Sequence, residues 1–278
     1  MNGIVWLASY PKSGNTWFRI FLSNLLRDAQ EPVNINDLRE SNWSNLRSLF
    51  DDYLGIKSSD LPFREIENLR PALYRQMAQE SDQPIFLKTH DAYTKTSQNE
   101  LLIPSDATER ILYFVRNPLD VAASFAHHNV EKIDETIAKM ANDSYTMWYK
   151  TDGINIQLPQ LIMSWSQNVL TWLNGKSDKI RFIRYEDMVR DPFTTFSAAV
   201  DFLGIKKSPI EIERAIHFSS FDILKKQEQE AGFQEKNPKS LSFFRSGSVG
   251  NWAKELTKEQ IEQIISDHAD VMKMFNYL

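Results

Sequence analysis

The chain has 278 residues, 42% hydrophobic and 25% charged, which is enough apolar material for a sizeable core and too balanced a composition for disorder. A formal net charge of −5 argues against a nucleic-acid binder, which would carry a strongly basic face, so any anion it binds must be met locally. There is no cysteine, which excludes disulfides and thiolate metal sites and fits a reducing compartment; no apolar stretch approaches the roughly 18 residues of a membrane span, so a cytoplasmic protein without a metal is expected.

In chain order, the first element is the apolar run Ile4–Ala8, which lacks the basic flank of a signal peptide and reads as a buried strand. It stops at Tyr10-Pro11-Lys12-Ser13-Gly14-Asn15-Thr16-Trp17, and apolar residues resume at helical spacing over Thr16–Arg27. Strand, tight turn and helix is the geometry in which backbone N–H groups and the positive helix end converge on one anion. Lys12 adds a charge, and Ser13, Asn15 and Thr16 add donors. Glycine makes up only 9 of the 278 residues, so Gly14 in this turn is informative. The stretch reads as a phosphate cradle, although a surface turn also accommodates Lys-Ser-Gly and no Walker A pattern occurs.

A second strand, Ile85–Leu87, leads into Lys88 and His90, whose alternation puts both side chains on one side. A histidine that titrates near neutrality suits a general base; a hydrogen-bonded histidine at a strand end is the structural alternative. A third strand, Ile111–Val115, ends in Arg116 and is followed by a helix, Leu119–His127, that carries Ser124. A guanidinium fork and a hydroxyl one to two turns into a helix can hold a phosphate, with a salt bridge as the alternative for Arg116.

The segment Val130–Gln157 is rich in acidic and aromatic residues (Glu131, Asp134, Glu135, Tyr145, Trp148, Tyr149). It reads as an exposed helix with a loop, or as a wall suited to a polar or cationic acceptor. Next come a helix over Leu158–Leu173, a strand over Ile180–Arg184, and helices over Pro192–Leu203 and Ile210–Phe218. The polar stretch Lys225–Ser240 is expected to be a solvated helix end and loop with few apolar anchors, held weakly until a nucleotide orders it. Phe243–Thr257 brings Gly247 and Gly250 beside Arg245, able to wrap a second phosphate, and Lys258–Met274 is the last helix. Strands alternating with helices predict an α/β fold: one P-loop-like domain over residues 1–278, with a central parallel sheet covered by helices on both faces.

Taken together, these four stretches, in this order and across most of the chain, resemble the sulfotransferases that use 3′-phosphoadenosine 5′-phosphosulfate (PAPS). The resemblance implies sulfuryl transfer from PAPS to a hydroxyl or nitrogen of a small-molecule acceptor, leaving adenosine 3′,5′-bisphosphate (PAP). By position it assigns the 5′-phosphosulfate to Lys12, Ser13, Gly14, Asn15, Thr16 and Trp17, the tryptophan stacking near adenine. The 3′-phosphate falls to Arg116 and Ser124, and again to Phe244, Arg245, Ser246 and Gly247. Adenine contacts fall to Tyr185, Ser219 and Phe221, and catalysis to His90 as base with Lys12 and Lys88.

The opening motif looks most like bacterial sulfotransferases of specialised metabolism, and the resemblance allows a homodimer and implies no nucleic-acid partner. The last motif departs from the common pattern: Ala253 follows Trp252 where a basic residue is usual, and Ser246 replaces a frequent lysine. Two other readings are a P-loop kinase-like phosphotransferase, for which the Walker A lysine is missing, and a non-catalytic nucleotide-binding protein.

Overall fold

The computed structural model describes residues 3–148, 153–175 and 177–278. The strands are β1 (Ile4–Ser9), β2 (Ser41–Trp43), β3 (Ile85–Thr89), β4 (Thr108–Val115), β5 (Thr146–Met147), β6 (Gln160–Leu161) and β7 (Ile180–Arg184). The helices are α1 (Asn15–Leu26), α2 (Arg47–Leu54), α3 (Phe63–Glu80), α4 (Pro118–Asn129), α5 (Ile133–Met140), α6 (Trp165–Asn174), α7 (Tyr185–Arg190), α8 (Pro192–Phe202), α9 (Pro209–Phe218), α10 (Phe221–Ala231), α11 (Trp252–Glu255) and α12 (Lys258–Met274). The main sheet has the order β2-β3-β1-β4-β7, with β1 and β3 parallel from Ile4↔Ile85 to Ala8↔Thr89. This is the α/β class with a central parallel sheet that the alternation of strands and helices implied.

By its internal contacts the chain divides into two compact units. The first comprises Met1–Tyr10, Asn42–Tyr113 and Asn142–Arg181; the second comprises Pro11–Ser41, Phe114–Ala141 and Phe182–Leu278. The chain therefore passes back and forth, and neither unit is a continuous stretch of sequence.

In the first unit β1 is buried along its whole length, which is why its sequence shows no alternation. The Trp6 indole donates to Thr108 Oγ1 at 3.0 Å and meets the Tyr74 ring edge-on at 4.8 Å. Tyr74 belongs to α3, an 18-residue helix that runs through Pro71 and was not anticipated. Its buried residues Ile66, Arg70, Leu73, Tyr74 and Met77 recur at helical spacing, so one continuous face outweighs the hydrogen bond lost at the proline.

The helix expected over Leu158–Leu173 is shorter. Gln160 and Leu161 pair with Met147 and Thr146 as an antiparallel ribbon, and α6 starts only at Trp165, where the Ser164 hydroxyl accepts from the Gln167 N–H at 3.2 Å. A capping serine inside an apolar run sets the boundary.

In the second unit an aromatic core gathers Phe18 and Phe21 of α1, Phe114 and Phe196; the Phe21 and Phe196 rings stack at 4.4 Å. A further buried cluster joins Ile20, Val33, Ile35, Leu224, Phe233 and Phe244. This corrects the expectation for Lys225–Ser240. Phe233 is buried in that cluster, and the Glu228 carboxylate, itself buried, accepts the N–H groups of Phe243 at 2.6 Å and Phe244 at 2.9 Å. The Gln227 amide bonds both Ile35 N–H and Val33 C=O at 3.1 Å. The stretch is the end of α10 and a loop, as expected, with Lys225, Lys226, Gln229, Glu230 and Lys239 exposed, but Gln227 and Glu228 fasten neighbouring backbone and Phe233 anchors it. Among the described residues no helix is long and apolar enough to cross a membrane.

Candidate active site

The turn between β1 and α1 carries two left-handed residues, Lys12 at φ 67° and Gly14 at φ 97°. Such a φ is strained for a lysine and free for a glycine. Gly14 is required for a second reason: a Cβ there would stand 2.8 Å from Cδ2 of Tyr185. Gly14 is the N-cap of α1, and no side chain caps that helix end, so its positive N-terminus faces the turn. Ser13 is fully buried and its Oγ has no hydrogen-bond partner. The Lys12 ammonium sits 3.9 Å from the centre of the Phe243 ring, a cation–π contact that sequence reasoning did not find.

Asn15 and Thr16 are buried in the first turn of α1, and the Thr16 hydroxyl donates to Glu235 at 3.4 Å, beside the 2.5 Å ion pair of Glu235 with Arg19. The Trp17 indole donates to the Ser219 carbonyl at 2.9 Å and lies edge-on to Tyr185 and Phe196. Ser219 is buried, and its hydroxyl donates to the Ala215 carbonyl of α9; its observed contribution is thus to hold Trp17 through its carbonyl.

Arg116 follows β4 and is almost buried. It donates to the carbonyls of Lys12 at 3.2 Å and Ser248 at 3.3 Å and stacks over the Tyr185 ring at 4.2 Å, while its buried Nε has no partner. Burial pushes the Tyr185 phenol above its ordinary pKa, against the pull of Arg116. The structure thus brings Lys12, Gly14, Arg116 and Tyr185 together. Ser124 lies half-buried in α4.

The Arg245 guanidinium pairs with Glu255 at 2.7 Å, and the same carboxylate meets His127 Nε2 at 2.9 Å. Ser246 accepts from the Asn251 amide at 2.8 Å, and Gly247, at φ 59°, packs against the Phe221 ring. Phe244 is buried in the second unit's core, where it supports this loop. The loop is tied further by the buried Asp120, which accepts from the N–H groups of Gly250 at 2.9 Å and Trp252 at 3.2 Å.

In the first unit, His90 is the residue after β3. Its Nδ1 lies 2.7 Å from the Ser9 carbonyl oxygen and 3.2 Å from the Ser9 hydroxyl. A carbonyl only accepts, so Nδ1 carries the hydrogen and Nε2 keeps a lone pair. Lys88 stands over the Trp43 ring at 5.5 Å. Behind His90, Asp91 is fully buried and receives Arg70 at 3.0 and 2.5 Å, the Thr89 hydroxyl at 2.8 Å and the Gln160 amide at 2.7 Å. Burial alone would pull the Arg70 guanidinium down, but Asp91 and Tyr74 hold it above its ordinary value.

Of the segment Val130–Gln157, Glu131 is taken by Lys139, Thr136 and Asn129, so it offers no uncommitted carboxylate to a cationic acceptor. Asp134 accepts from Gln260 at 2.7 Å. Tyr149 lies outside the described residues.

The residues of the second unit fit an anionic nucleotide: an uncapped helix start, a glycine cradle, and two buried polar atoms, Ser13 Oγ and Arg116 Nε, that have no hydrogen-bond partner among the described residues.

Comparison with known proteins gives one consistent family. The model of the sulfotransferase domain matches residues 3–276. Sulfotransferase 2A1 of Rattus norvegicus is 29% identical over 160 residues, 55% of this chain and 53% of that protein, so this alignment spans about half the relative's length. Sulfotransferase 1E1 of Homo sapiens is 26% identical over 294 residues, 96% of this chain and 83% of that protein. Among solved structures, mouse sulfotransferase SULT7A1 complexed with PAP has the same fold at a TM-score of 0.63 and 19% identity, over 98% of this chain and 85% of that one.

Proposed function

The chain belongs to the sulfotransferase family, and from that premise we propose that it transfers a sulfuryl group from PAPS to a hydroxyl or nitrogen of a small-molecule acceptor, with His90 as general base. PAPS, when bound, supplies the sulfuryl group and departs as PAP. Lys12, Ser13, Gly14, Asn15, Thr16 and Trp17 hold the phosphosulfate end. Arg116 with Ser124, and Arg245 with Ser246 and Gly247, hold the 3′-phosphate, and Tyr185 and Phe221 flank the adenine. His90 Nε2 takes the proton of the acceptor as its oxygen or nitrogen forms the new bond to sulfur. Lys12 and Lys88 supply the fixed positive charge that such a transfer needs as the old bond to the phosphate oxygen breaks.

The observation that supports the role of His90 is its 2.7 Å contact with the Ser9 carbonyl, which in the neutral ring puts the hydrogen on Nδ1 and the basic lone pair on Nε2. The likeness of the opening motif supports a specialised metabolite as acceptor, and the absence of cysteine supports the cytoplasm as its compartment. A kinase-like reading has no Walker A lysine to stand on.

The test is turnover of PAPS against a metabolite panel, read by mass spectrometry, with PAP affinity measured by calorimetry. His90→Ala should lower turnover about 100-fold or more while leaving PAP affinity within about twofold, because a base acts only in the transition state. Near-normal turnover in that variant would remove His90 from the mechanism. Light scattering on the purified protein tests the homodimer.

A further inference from the structure

The strand ladder that holds β3 against β1 ends at Ala8↔Thr89, one residue before His90. Beyond it, the carbonyls of His90 and Asp91 are taken by side chains. Asn168 Nδ2 donates to the His90 carbonyl at 3.1 Å, and the Trp172 indole donates to the next carbonyl, that of Asp91, at 3.2 Å. The two residues are four apart on α6, so one helix face presents both donors to consecutive carbonyls. We propose that Asn168 is a positioning residue for His90, and that the Asn168–Trp172 clamp keeps His90 Nδ1 on the Ser9 carbonyl so that Nε2 is the basic nitrogen. The proposal rests on the reading of His90 as general base.

The Asn168 amide can sit only one way round. Its nitrogen also donates to the Ile162 carbonyl at 2.7 Å, and its oxygen accepts from the Tyr113 hydroxyl at 2.6 Å. A flipped amide would set its oxygen against two carbonyls inside a fully buried site, leaving acceptors unpaired. Burial raises the Tyr113 phenol well above its ordinary pKa, which keeps it a donor. With the amide fixed, the His90 carbonyl is fixed, and with it the reach of the imidazole to Ser9. Once the carbonyl is released, the Nδ1 contact is no longer enforced, the other tautomer competes, and the lone pair leaves the nitrogen that must abstract the proton.

The clamp also differs from general packing in what it acts on. Its two donors act on the backbone carbonyls of His90 and Asp91. Its loss should therefore appear in kcat and not in nucleotide affinity.

The experiment is a double-mutant cycle on the full chain, with kcat and the calorimetric Kd for PAP measured for wild type, Asn168→Ala, His90→Ala and the pair. Asn168→Ala should lower kcat about 10- to 100-fold, the scale of a displacement near 1 Å at a catalytic group, with the PAP Kd within about twofold of wild type. In the His90→Ala background the same change should alter turnover by less than about twofold, because no imidazole is left to position. Trp172→Phe, which keeps a ring and removes the N–H, should repeat the pattern at smaller size and decides the matter if Asn168→Ala does not fold. An unchanged kcat in Asn168→Ala, or an equal fold-loss in both backgrounds, overturns the positioning role while leaving His90 as base. Full turnover in His90→Ala itself overturns the base, and this proposal falls with it.

Discussion

The His90 strand end and the Lys12 turn are built in opposite ways. Behind His90 the Asp91 carboxylate takes four hydrogen bonds from Arg70, Thr89 and Gln160, and the adjoining carbonyls are held by α6. The Lys12 turn has a strained lysine, an uncapped helix start, and a buried serine hydroxyl with no partner. A group that moves a proton must be in place before the substrate arrives, whereas a group that binds a polyanion gains by keeping donors unmatched until the anion supplies the acceptors. The contrast teaches that packing alone fixes the His90 end, whereas the Lys12 turn keeps the Ser13 hydroxyl unmatched among the described residues, which is what the roles proposed for the two ends require.

Four experiments can break or sharpen this contrast. The largest effect is expected from Arg70→Met, which leaves Asp91 buried without its cation; unfolding in urea should show a loss of about 3–5 kcal/mol. A loss below about 1 kcal/mol would mean that the His90 end is not internally fixed. Gly14→Ala should weaken PAP about 100-fold by calorimetry, because the turn must leave φ 97° and Tyr185 must shift. Wild-type affinity there would refute the cradle.

Ser13→Ala is the sharper probe. It should leave stability without ligand unchanged, since the hydroxyl it removes has no partner, yet weaken PAP roughly 3- to 10-fold, the value of one hydrogen bond. Destabilisation of the free protein by Ser13→Ala would show that the hydroxyl already has work in the absence of ligand. The smallest effect concerns residues 225–244: amide exchange there should be slow without nucleotide and change little when PAP is added, because Phe233, Phe244 and Glu228 already anchor it. Protection that appears only with PAP would restore the picture of a closing lid.

What the sequence disclosed follows from which forces leave a mark on it. Strands β1, β3 and β4 each contain a continuous apolar run, β7 carries Ile180, Phe182 and Ile183 alongside its arginines, and α12 opens with a capping box of Thr257 and Gln260, so apolar β-formers and cap chemistry locate them. The short β2, with residues Ser41–Trp43, carries no such period, and α3 hides behind Pro71. Lys225–Ser240 misleads because average polarity says nothing about whether a particular glutamate points at two backbone N–H groups.

The same holds at the site. Lys12, Gly14, Arg116 and Arg245 stand out as candidates because cations and glycines at turns and strand ends are the chemistry an anion site would need. The Ser9 carbonyl that orients His90 is backbone, which any residue would provide. Asn168, 78 residues from His90, becomes its neighbour only through the fold.

The interleaving of the two units has a consequence for biosynthesis. The last residue of the first unit, Arg181, is synthesised before any of the segment Phe182–Leu278. The ingredients of the His90 clamp, from Ser9 to Trp172, are therefore complete while the Lys12 turn still lacks Tyr185, Phe221, Phe243 and Arg245. A nascent chain that folds as it emerges therefore has the residues around His90 available first. The residues gathered around the Lys12 turn are complete only with the final third of translation.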